Sequence, residues 1–142
     1  MHVRIKRIDK SLPLPIYGTP GAAAVDLYAR EDYEIQPKSL GAVPSNLIVA
    51  TPPGYAFIVV PRSSTPRKKG LLIPHGIGII DPDFFGSDDE ILLQFYNFTD
   101  EVVKIKKGER IAQGFFIKVE HAEWEEIENI EGPSRGGFGS SG

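Results

Sequence analysis

The chain has 142 residues, of which 41% are hydrophobic and 25% charged, which suits one globular domain with its own core. Its net charge of −3 argues against a surface that coats nucleic acid, although a local cationic pocket is compatible with it. The sequence contains no cysteine, which excludes disulfides, thiolate zinc sites and cysteine nucleophiles.

The amino terminus alternates apolar and charged residues. Val3 and Ile5 are interleaved with Arg4 and Lys6, and this period of two predicts a half-buried strand. No long apolar stretch is present there, so we expect neither a signal peptide nor a membrane anchor. We therefore expect a soluble, cytoplasmic protein with no membrane or nucleic-acid partner.

Short strands dominate the prediction because 15 glycines and 12 prolines leave few windows for an amphipathic helix. Residues 55–60 and 91–96 are continuous apolar or aromatic runs, typical of central strands covered on both faces. Further strands are expected at residues 26–29, 33–35, 47–50, 77–80, 103–105 and 110–119. Many short strands at close spacing predict an all-β sandwich or barrel.

One short helix is expected after the strand at residues 55–60. Ser63 or Ser64 can cap it, Pro66 suits its first turn, and Gly70 can end it. We expect little other helix. The acidic stretch at residues 120–131 is interpreted as a solvated link from the last strand to the C-terminal tail.

Three segments carry polar groups that suit an anionic ligand. Arg62, Ser63 and Ser64 emerge where a buried strand ends, which favours a phosphate contact as much as a helix cap beside a surface arginine. Residues 108–113 place a turn, a cation and an amide at the start of the last long strand. Asp26 is either the partner of a metal-bound water or a turn residue.

A pair of glycines precedes an acidic residue at the end of an apolar strand. Gly76 and Gly78 would let a flat ligand approach the backbone closely. Partial desolvation of Asp81 would keep its carboxylate basic enough to take a proton from water. The alternative is a β-hairpin in which residues 81–83 only form the turn.

The last eight residues combine four glycines with one cation, one aromatic ring and two hydroxyls. Glycine loses much entropy on ordering, so packing alone gives no reason for this composition. A nucleoside triphosphate does, because Arg135, Ser140 and Ser141 can bind phosphate while Phe138 stacks on a base. The alternative is a glycine- and serine-rich terminus without a role.

Taken together and in this order, these segments resemble the deoxyuridine triphosphate nucleotidohydrolases, the dUTPase family. The five matching motifs are residues 24–29, 61–64, 76–86, 108–113 and the tail from residue 135. The resemblance implies a jelly-roll-like β-barrel of the dUTPase β-clip type with at most one short helix over residues 1–131. It also implies a flexible glycine-rich lid at residues 132–142 and a homotrimer with active sites shared between subunits.

The reaction implied by the resemblance is hydrolysis of dUTP to dUMP and pyrophosphate. Asp81 would activate a water that attacks the α-phosphorus, and Mg²⁺ would bridge the phosphates with water between it and Asp26. The implied phosphate-binding residues are Arg62, Ser63, Ser64, Gln113, Arg135, Ser140 and Ser141. The implied base- and sugar-binding residues are His75, Gly76, Gly78, Phe84 and Phe138.

The chain departs from the family pattern around the sugar. Phe84 stands where the family usually has a tyrosine against the deoxyribose, so the ring is kept and the hydroxyl is lost. Residues 87–89 lengthen the following hairpin by three residues.

The alternatives to a dUTPase are a dCTP deaminase of the same superfamily, possibly bifunctional, and a non-catalytic nucleotide-binding trimer. Gln94 argues against deamination, because it occupies the position of a glutamate that must shuttle a proton.

Overall fold

The structure is a computed structural model that describes residues 1–137, and it is almost entirely β. The prediction of an all-β fold with at most one short helix is confirmed. The elements in chain order are β1 (Ile5–Arg7), β2 (Val25–Tyr28), β3 (Tyr33–Ile35), β4 (Leu40–Pro44), β5 (Leu47–Val49), β6 (Tyr55–Pro61), α1 (Thr65–Lys69), β7 (Leu71–Leu72), β8 (Gly78–Ile80), β9 (Leu92–Asn97), β10 (Val103–Ile105) and β11 (Arg110–Lys118).

The strands pair antiparallel and wrap around one hydrophobic core. The largest sheet has the order β2-β11-β6-β8, a second has the order β4-β9-β7, and β1-β5 and β10-β3 form two-stranded ladders. Leu27, Val43, Phe57, Phe95 and Ile105 are at most 2% exposed and contribute to the same core from different strands. This packing of short antiparallel strands around one core fits the jelly-roll-like fold that the sequence predicts.

Strand β6 is central, as predicted. It lies between β11 and β8, and its residues 56–59 are all buried. Strand β9 is also flanked on both sides, by β4 and β7, but the prediction that both its faces are covered is wrong for the single chain. Leu93 and Phe95 point into the core, whereas Leu92 is 52% exposed. Only one face of this sheet packs on the core of its own chain.

Strand β4 was not among the predicted strands, because Gly41 and Pro44 are poor strand formers. It forms because it pairs with β9 along its whole length. Gly41 is required there, since a Cβ at this position would lie 2.7 Å from a side-chain carbon of Ile35. Tertiary pairing therefore overrides local propensity at this strand.

Helix α1 begins and ends where the sequence predicts. Pro66 occupies its first turn, and Gly70 ends it in the left-handed region with φ of 66°. Ser64 is the N-cap residue, but its side chain makes no capping hydrogen bond, so that detail of the prediction is wrong. No helix within residues 1–137 is long and apolar enough to cross a membrane.

The segment after β11 lies on the surface, as expected for a solvated link. Residues 120–137 form no helix or strand and are exposed almost throughout. The segment is not purely polar, because Trp124 is 95% exposed and Ile130 is 84% exposed.

Candidate active site

One end of the large sheet gathers the cationic and polar residues that the sequence singled out. Gln113 on β11 lies directly opposite Asp26 on β2 and Val60 on β6. Arg62 follows the last residue of β6 at the same end of the sheet. The antiparallel pairing of three strands therefore brings together residues that are up to 87 positions apart in the sequence, the separation of Asp26 and Gln113.

Asp26 connects the two arginines of this cluster. Its Oδ1 forms an ion pair with Arg62 Nε at 2.8 Å, and its Oδ2 accepts a hydrogen bond from Arg110 Nη1 at 3.1 Å. The carboxylate is 18% exposed, so both ion pairs are partly shielded from water. Two guanidinium groups and one carboxylate leave the cluster with an excess of positive charge, which suits a polyanion.

Further hydrogen bonds fix the cluster to the backbone. Gln113 Nε2 donates to the carbonyl of Pro61 at 3.2 Å, and Arg62 Nη1 donates to the carbonyl of Arg110 at 3.5 Å. The cavity above them has a volume of about 200 Å³. Its lining consists of Gly18, Ala22, Ala24, Asp26, Arg62, Ser63, Ser64 and Gln113. Small residues on one wall and hydrogen-bond donors on the other make it a suitable phosphate site.

The glycine pair forms a second site, on β8 and the turn before it. Gly76 has φ of 81°, a backbone conformation that favours glycine, and Gly78 pairs with Val59 of β6. His75 Nδ1 donates to the carbonyl of Ile77 at 2.6 Å, which fixes the tautomer because a carbonyl only accepts. His75 and Gly78 line a cavity of about 330 Å³ whose other walls are mostly apolar. A flat, uncharged ring suits this environment.

Asp81 lies at the end of β8 and lines an adjacent cavity of about 340 Å³. Its backbone carbonyl accepts a hydrogen bond from the Phe84 amide at 3.3 Å, so the residues do form the turn that the sequence offered as the alternative. The side chain makes no ion pair with any residue among positions 1–137. Its carboxylate is therefore free to act on a ligand. Phe84 follows three residues later and is 39% exposed.

The structure does not bring Asp81 and the phosphate cluster together within one chain. Ile80 pairs with Phe57 near the start of β6, whereas Arg62 follows the end of β6. The six residue steps from position 56 to position 62 correspond to about 20 Å along an extended strand. The candidate residues thus form two half-sites at opposite ends of the same strand.

The tail residues contribute little to the described geometry. Arg135 is exposed, and the nearby hydrogen bond joins the Gly136 amide to Ser134 Oγ at 3.2 Å. Phe138, Ser140 and Ser141 lie outside the described residues. Their assignment to base and phosphate therefore stays a prediction.

Sequence reasoning gave no individual site role to three residues that the structure places near the candidate groups. Arg110 belongs to the turn, cation and amide motif, and a register shift between Arg110 and Ala112 accompanies its approach to Asp26. Tyr55 and His121 line the cavity of Asp81. The position of Arg110 in that motif was a signal that could have selected it from the sequence. Tyr55 and His121 are remote from Asp81 in the sequence, so only the fold shows that they line its cavity.

Comparison with known proteins identifies the same family throughout. A family model described as dUTPase matches residues 10–142. The deoxyuridine 5'-triphosphate nucleotidohydrolase of Dictyoglomus turgidum is 39% identical over 148 residues, covering 100% of this chain and 99% of the relative. The crystal structure of a dUTPase from Streptococcus mutans is 31% identical, with a TM-score of 0.78 over 84% of this chain and 98% of that one.

A more distant structure shares the fold. A mutant dUTPase from phage phi11 of S. aureus is 17% identical, with a TM-score of 0.81 over 92% of this chain and 99% of that one. That structure is described as showing how a structural Mg(II) ion is coordinated.

Proposed function

Because the chain belongs to the dUTPase family and is a dUTP diphosphatase, we propose that it hydrolyses dUTP at sites built from half-sites of neighbouring subunits. The observation that carries this proposal is the separation of Asp81 from Arg62 along β6. Adjacent phosphorus atoms of a triphosphate are joined through a single oxygen. A base at the α-phosphorus and a cation on the other phosphates must therefore lie much closer together than about 20 Å.

The alternative activity, deamination of dCTP, is not favoured. The similar proteins are named as nucleotidohydrolases. Gln94 has no proton to exchange at physiological pH, and in this chain it lines the cavity of His75 and Gly78. The residue that deamination would need is therefore absent from that cavity.

The phosphate chain is assigned to the cluster at the end of β6. Arg62, Ser63, Ser64 and Gln113 supply donors to phosphate oxygens, and Asp26 holds the Arg62 guanidinium in place through a 2.8 Å ion pair. The positive charge of the cluster lowers the cost of bringing in a polyanion. The tail adds Arg135, Ser140 and Ser141 to the phosphates and Phe138 to the uracil.

The nucleoside is assigned to the half-site around β8 of the neighbouring subunit. Backbone groups near Gly76 and Gly78 read the polar edge of uracil, and His75 stiffens the turn through its bond to the Ile77 carbonyl. Cytosine presents the opposite donor and acceptor pattern at ring position four, so it would leave buried polar groups unpaired. The ring of Phe84 packs against deoxyribose and leaves no room for a 2′-hydroxyl.

Asp81 acts as the general base. Its carboxylate takes a proton from water while the water oxygen forms a bond to the α-phosphorus. The bond from the α-phosphorus to the bridging oxygen breaks, and pyrophosphate leaves with the electron pair. The partly enclosed cavity of Asp81 limits competition from bulk water.

The described residues fit a divalent cation that the substrate itself holds. Residues 1–137 contain no cluster of three metal-ligating side chains, and the phosphate cluster offers one carboxylate, Asp26. Mg²⁺ commonly keeps several waters and binds phosphates with only one or two carboxylates. Each oxygen of Asp26 contacts one guanidinium group and retains a lone pair for a water. A bound Mg²⁺ would neutralise phosphate charge at this position.

A homotrimer with shared sites accounts for the exposed apolar side chains near the nucleoside half-site. Ile77 is 47% exposed, Ile79 is 58% exposed and Leu92 is 52% exposed, and all three line the same cavity. A neighbouring subunit would cover them. In this assembly residues 1–131 form the barrel and residues 132–142 form the lid over the completed site.

Mixed oligomers test the shared site. Asp81→Asn and Arg62→Gln chains carry different affinity tags, are produced together and are purified over both tags. Each variant alone should be inactive. In a cyclic trimer that contains both chains, one interface of three unites an intact Asp81 with an intact Arg62, so about one third of wild-type activity should return. An inactive mixture whose trimeric mass is verified by light scattering would contradict the shared site.

A further inference from the structure

We propose that Arg4, the residue immediately before β1, and Lys6 on β1 act as positioning residues that hold the loop between β8 and β9 and thereby set the discrimination between deoxyribose and ribose. This inference rests on the proposed assignment of Phe84 to the sugar. Strand β1 belongs to neither half-site and lies outside all five sequence motifs. The two residues contact the loop that carries Phe84.

The contacts from β1 fall on the part of the loop that differs most from the family pattern. The guanidinium carbon of Arg4 lies 5.5 Å from the ring centroid of Phe85, within the range of a cation–π interaction. Lys6 Nζ donates to the carbonyl of Ser87 at 3.1 Å. Arg4 continues the pairing of β1, because its carbonyl accepts a hydrogen bond from the Ala50 amide at 2.9 Å. Alternate residues of an extended chain share a face, so Arg4 and Lys6 both point at the same loop.

The two cations are not engaged elsewhere within the described part of the chain. Neither Arg4 nor Lys6 takes part in an ion pair among residues 1–137. Their intervening neighbour Ile5 packs against the core and pairs with Val49 of β5. The strand is thus fixed to the barrel on one face and presents two cations on the other.

The far end of the loop has its own attachment. Glu90 accepts a hydrogen bond from Arg30 Nε at 2.9 Å and one from the Asn46 amide at 2.7 Å. The Glu90 side chain is only 11% exposed, and its hydrogen bond raises the pKa of Arg30 above the ordinary arginine value. The Ile91 amide also donates to the Leu47 carbonyl at 2.9 Å. This end of the loop is therefore anchored independently of β1.

The tip of the loop is held differently. Its own hydrogen bonds are local: the Phe85 amide donates to the Asp83 carbonyl at 2.9 Å, and the Gly86 amide donates to the Asp89 carboxylate. Such bonds shape the turn but do not fix its position against the barrel. Two side-chain contacts join this tip to the β1 segment: the cation–π contact of Arg4 with Phe85 and the hydrogen bond from Lys6 to the Ser87 carbonyl.

Phe84 and Phe85 are consecutive, so restraint of one ring limits the movement of the other. Phe84 is 39% exposed, so part of its ring faces away from the barrel. A ring excludes a 2′-hydroxyl only if it cannot move aside when ribose enters. Loss of the β1 contacts should therefore admit UTP more readily and change the turnover of dUTP little.

The test compares kcat/KM for dUTP and UTP in Arg4→Ala, Phe85→Leu and the double variant, with Phe84→Ala as the direct probe of the sugar site. Each of the first two should lower the dUTP to UTP ratio by about two- to fivefold, the size expected from one exposed cation–π contact. The double variant should lower it no further than either single variant. Arg4→Lys should keep most of the discrimination, because an ammonium group also binds an aromatic face.

A matched control and a stability measurement separate positioning from folding. Lys104→Ala removes an exposed cation of β10 that pairs with Glu34, and the ratio should not change. Thermal unfolding of every variant identifies any general loss of structure. An unchanged ratio in Arg4→Ala and Phe85→Leu overturns the inference. If Phe84→Ala also leaves the ratio unchanged, the failure lies in the proposed sugar site; if Phe84→Ala lowers it, only the role of β1 is wrong.

Discussion

Asp81 and Arg62 lie beside opposite ends of strand β6. The register fixes this relationship, because Ile80 pairs with Phe57 while Pro61, the last residue of β6, pairs with Ala112 of β11. No side-chain rearrangement can close a gap of about 20 Å along an extended strand. In the proposed assembly, the proposed base Asp81 and the proposed phosphate-binding Arg62 of one chain therefore serve different substrate molecules.

Replacement of Asp81 should separate binding from catalysis. Asp81→Asn keeps the shape of the side chain but cannot accept the proton of the attacking water. Turnover should fall by about 10²–10⁴, the usual contribution of a positioned base, while affinity for dUTP stays within a few-fold of wild type. Single-turnover kinetics and equilibrium binding of dUTP measure the two effects. Near-normal turnover would remove Asp81 from this role.

Asp26 should affect the phosphate half-site through its two arginines. In Asp26→Asn the neutral amide no longer balances Arg62 and Arg110, so both guanidinium groups lose a charged partner. We expect kcat/KM to fall about tenfold, as for the loss of a charge-assisted hydrogen bond. Titration with Mg²⁺ distinguishes the causes: rescue at high Mg²⁺ indicates the water-mediated metal contact, and no rescue indicates arginine positioning. Glu34→Gln, at an exposed pair with Lys104, is the control.

Gly114 should tolerate no side chain. It lies in the middle of β11 opposite Val59 of β6 and Val25 of β2, and an added Cβ would overlap the ring of Phe57. Gly114→Ala should lower the free energy of unfolding by about 1–3 kcal/mol, as expected for overpacking of a core. Chemical denaturation measures the loss. In the Phe57→Leu background the same change should be less harmful, and equal losses in both backgrounds would contradict the overlap.

The C-terminal segment should matter for catalysis and not for folding. Residues 133–137 are exposed, so a chain that ends at Gly132 should keep the unfolding temperature of the full chain. Its kcat/KM for dUTP should fall about a hundredfold, because closing segments align the substrate. Arg135→Ala is a milder version of the same test and should raise KM more than it lowers kcat. An unaffected rate in the truncated enzyme would contradict the lid.

The ion pair between Asp9 and Lys107 should give stability that depends on pH. The two side chains are 2.5 Å apart, and the hydrogen bonds from Lys107 and Ser11 hold the pKa of Asp9 well below its ordinary value of 3.8. A lowered pKa stabilises the folded state above the unfolded pKa, and the effect is lost as pH falls through the folded pKa.

Lys107→Met should therefore unfold at a lower temperature than wild type near neutral pH. The two proteins should converge as the pH falls well below 3.8, where Asp9 becomes protonated in both states. Calorimetry across this range measures the difference. Lys118→Met, at the exposed end of β11, should show no such pH-dependent difference. A difference that persists in acid would mean that Lys107 acts through packing.

Local patterns predicted the fold class well, because the signals for short strands are local. The apolar run of β6, the alternation of Val103 and Ile105, and the proline and glycine that bound α1 each reflect backbone preferences that need no tertiary partner. Strand β4 was missed because pairing with β9, and not its own composition, makes it a strand. The exposed face of β9 was missed because a continuous apolar run does not reveal which face lacks a partner within its own chain.

The sequence alone determined which chemical groups are available: the carboxylate of Asp81, the guanidinium of Arg62, the glycine pair and the order of motifs that identifies the family. Such groups can be identified from the sequence because their chemistry depends on residue type and on immediate neighbours. Only the tertiary structure decided where these groups stand relative to one another. Antiparallel register joined Asp26 to Arg62 and Arg110 and placed Asp81 at the other end of β6, and packing of the loop between β8 and β9 brought Phe85 to Arg4. Those distances depend on hydrogen bonding between strands that are remote in sequence, which local patterns do not specify.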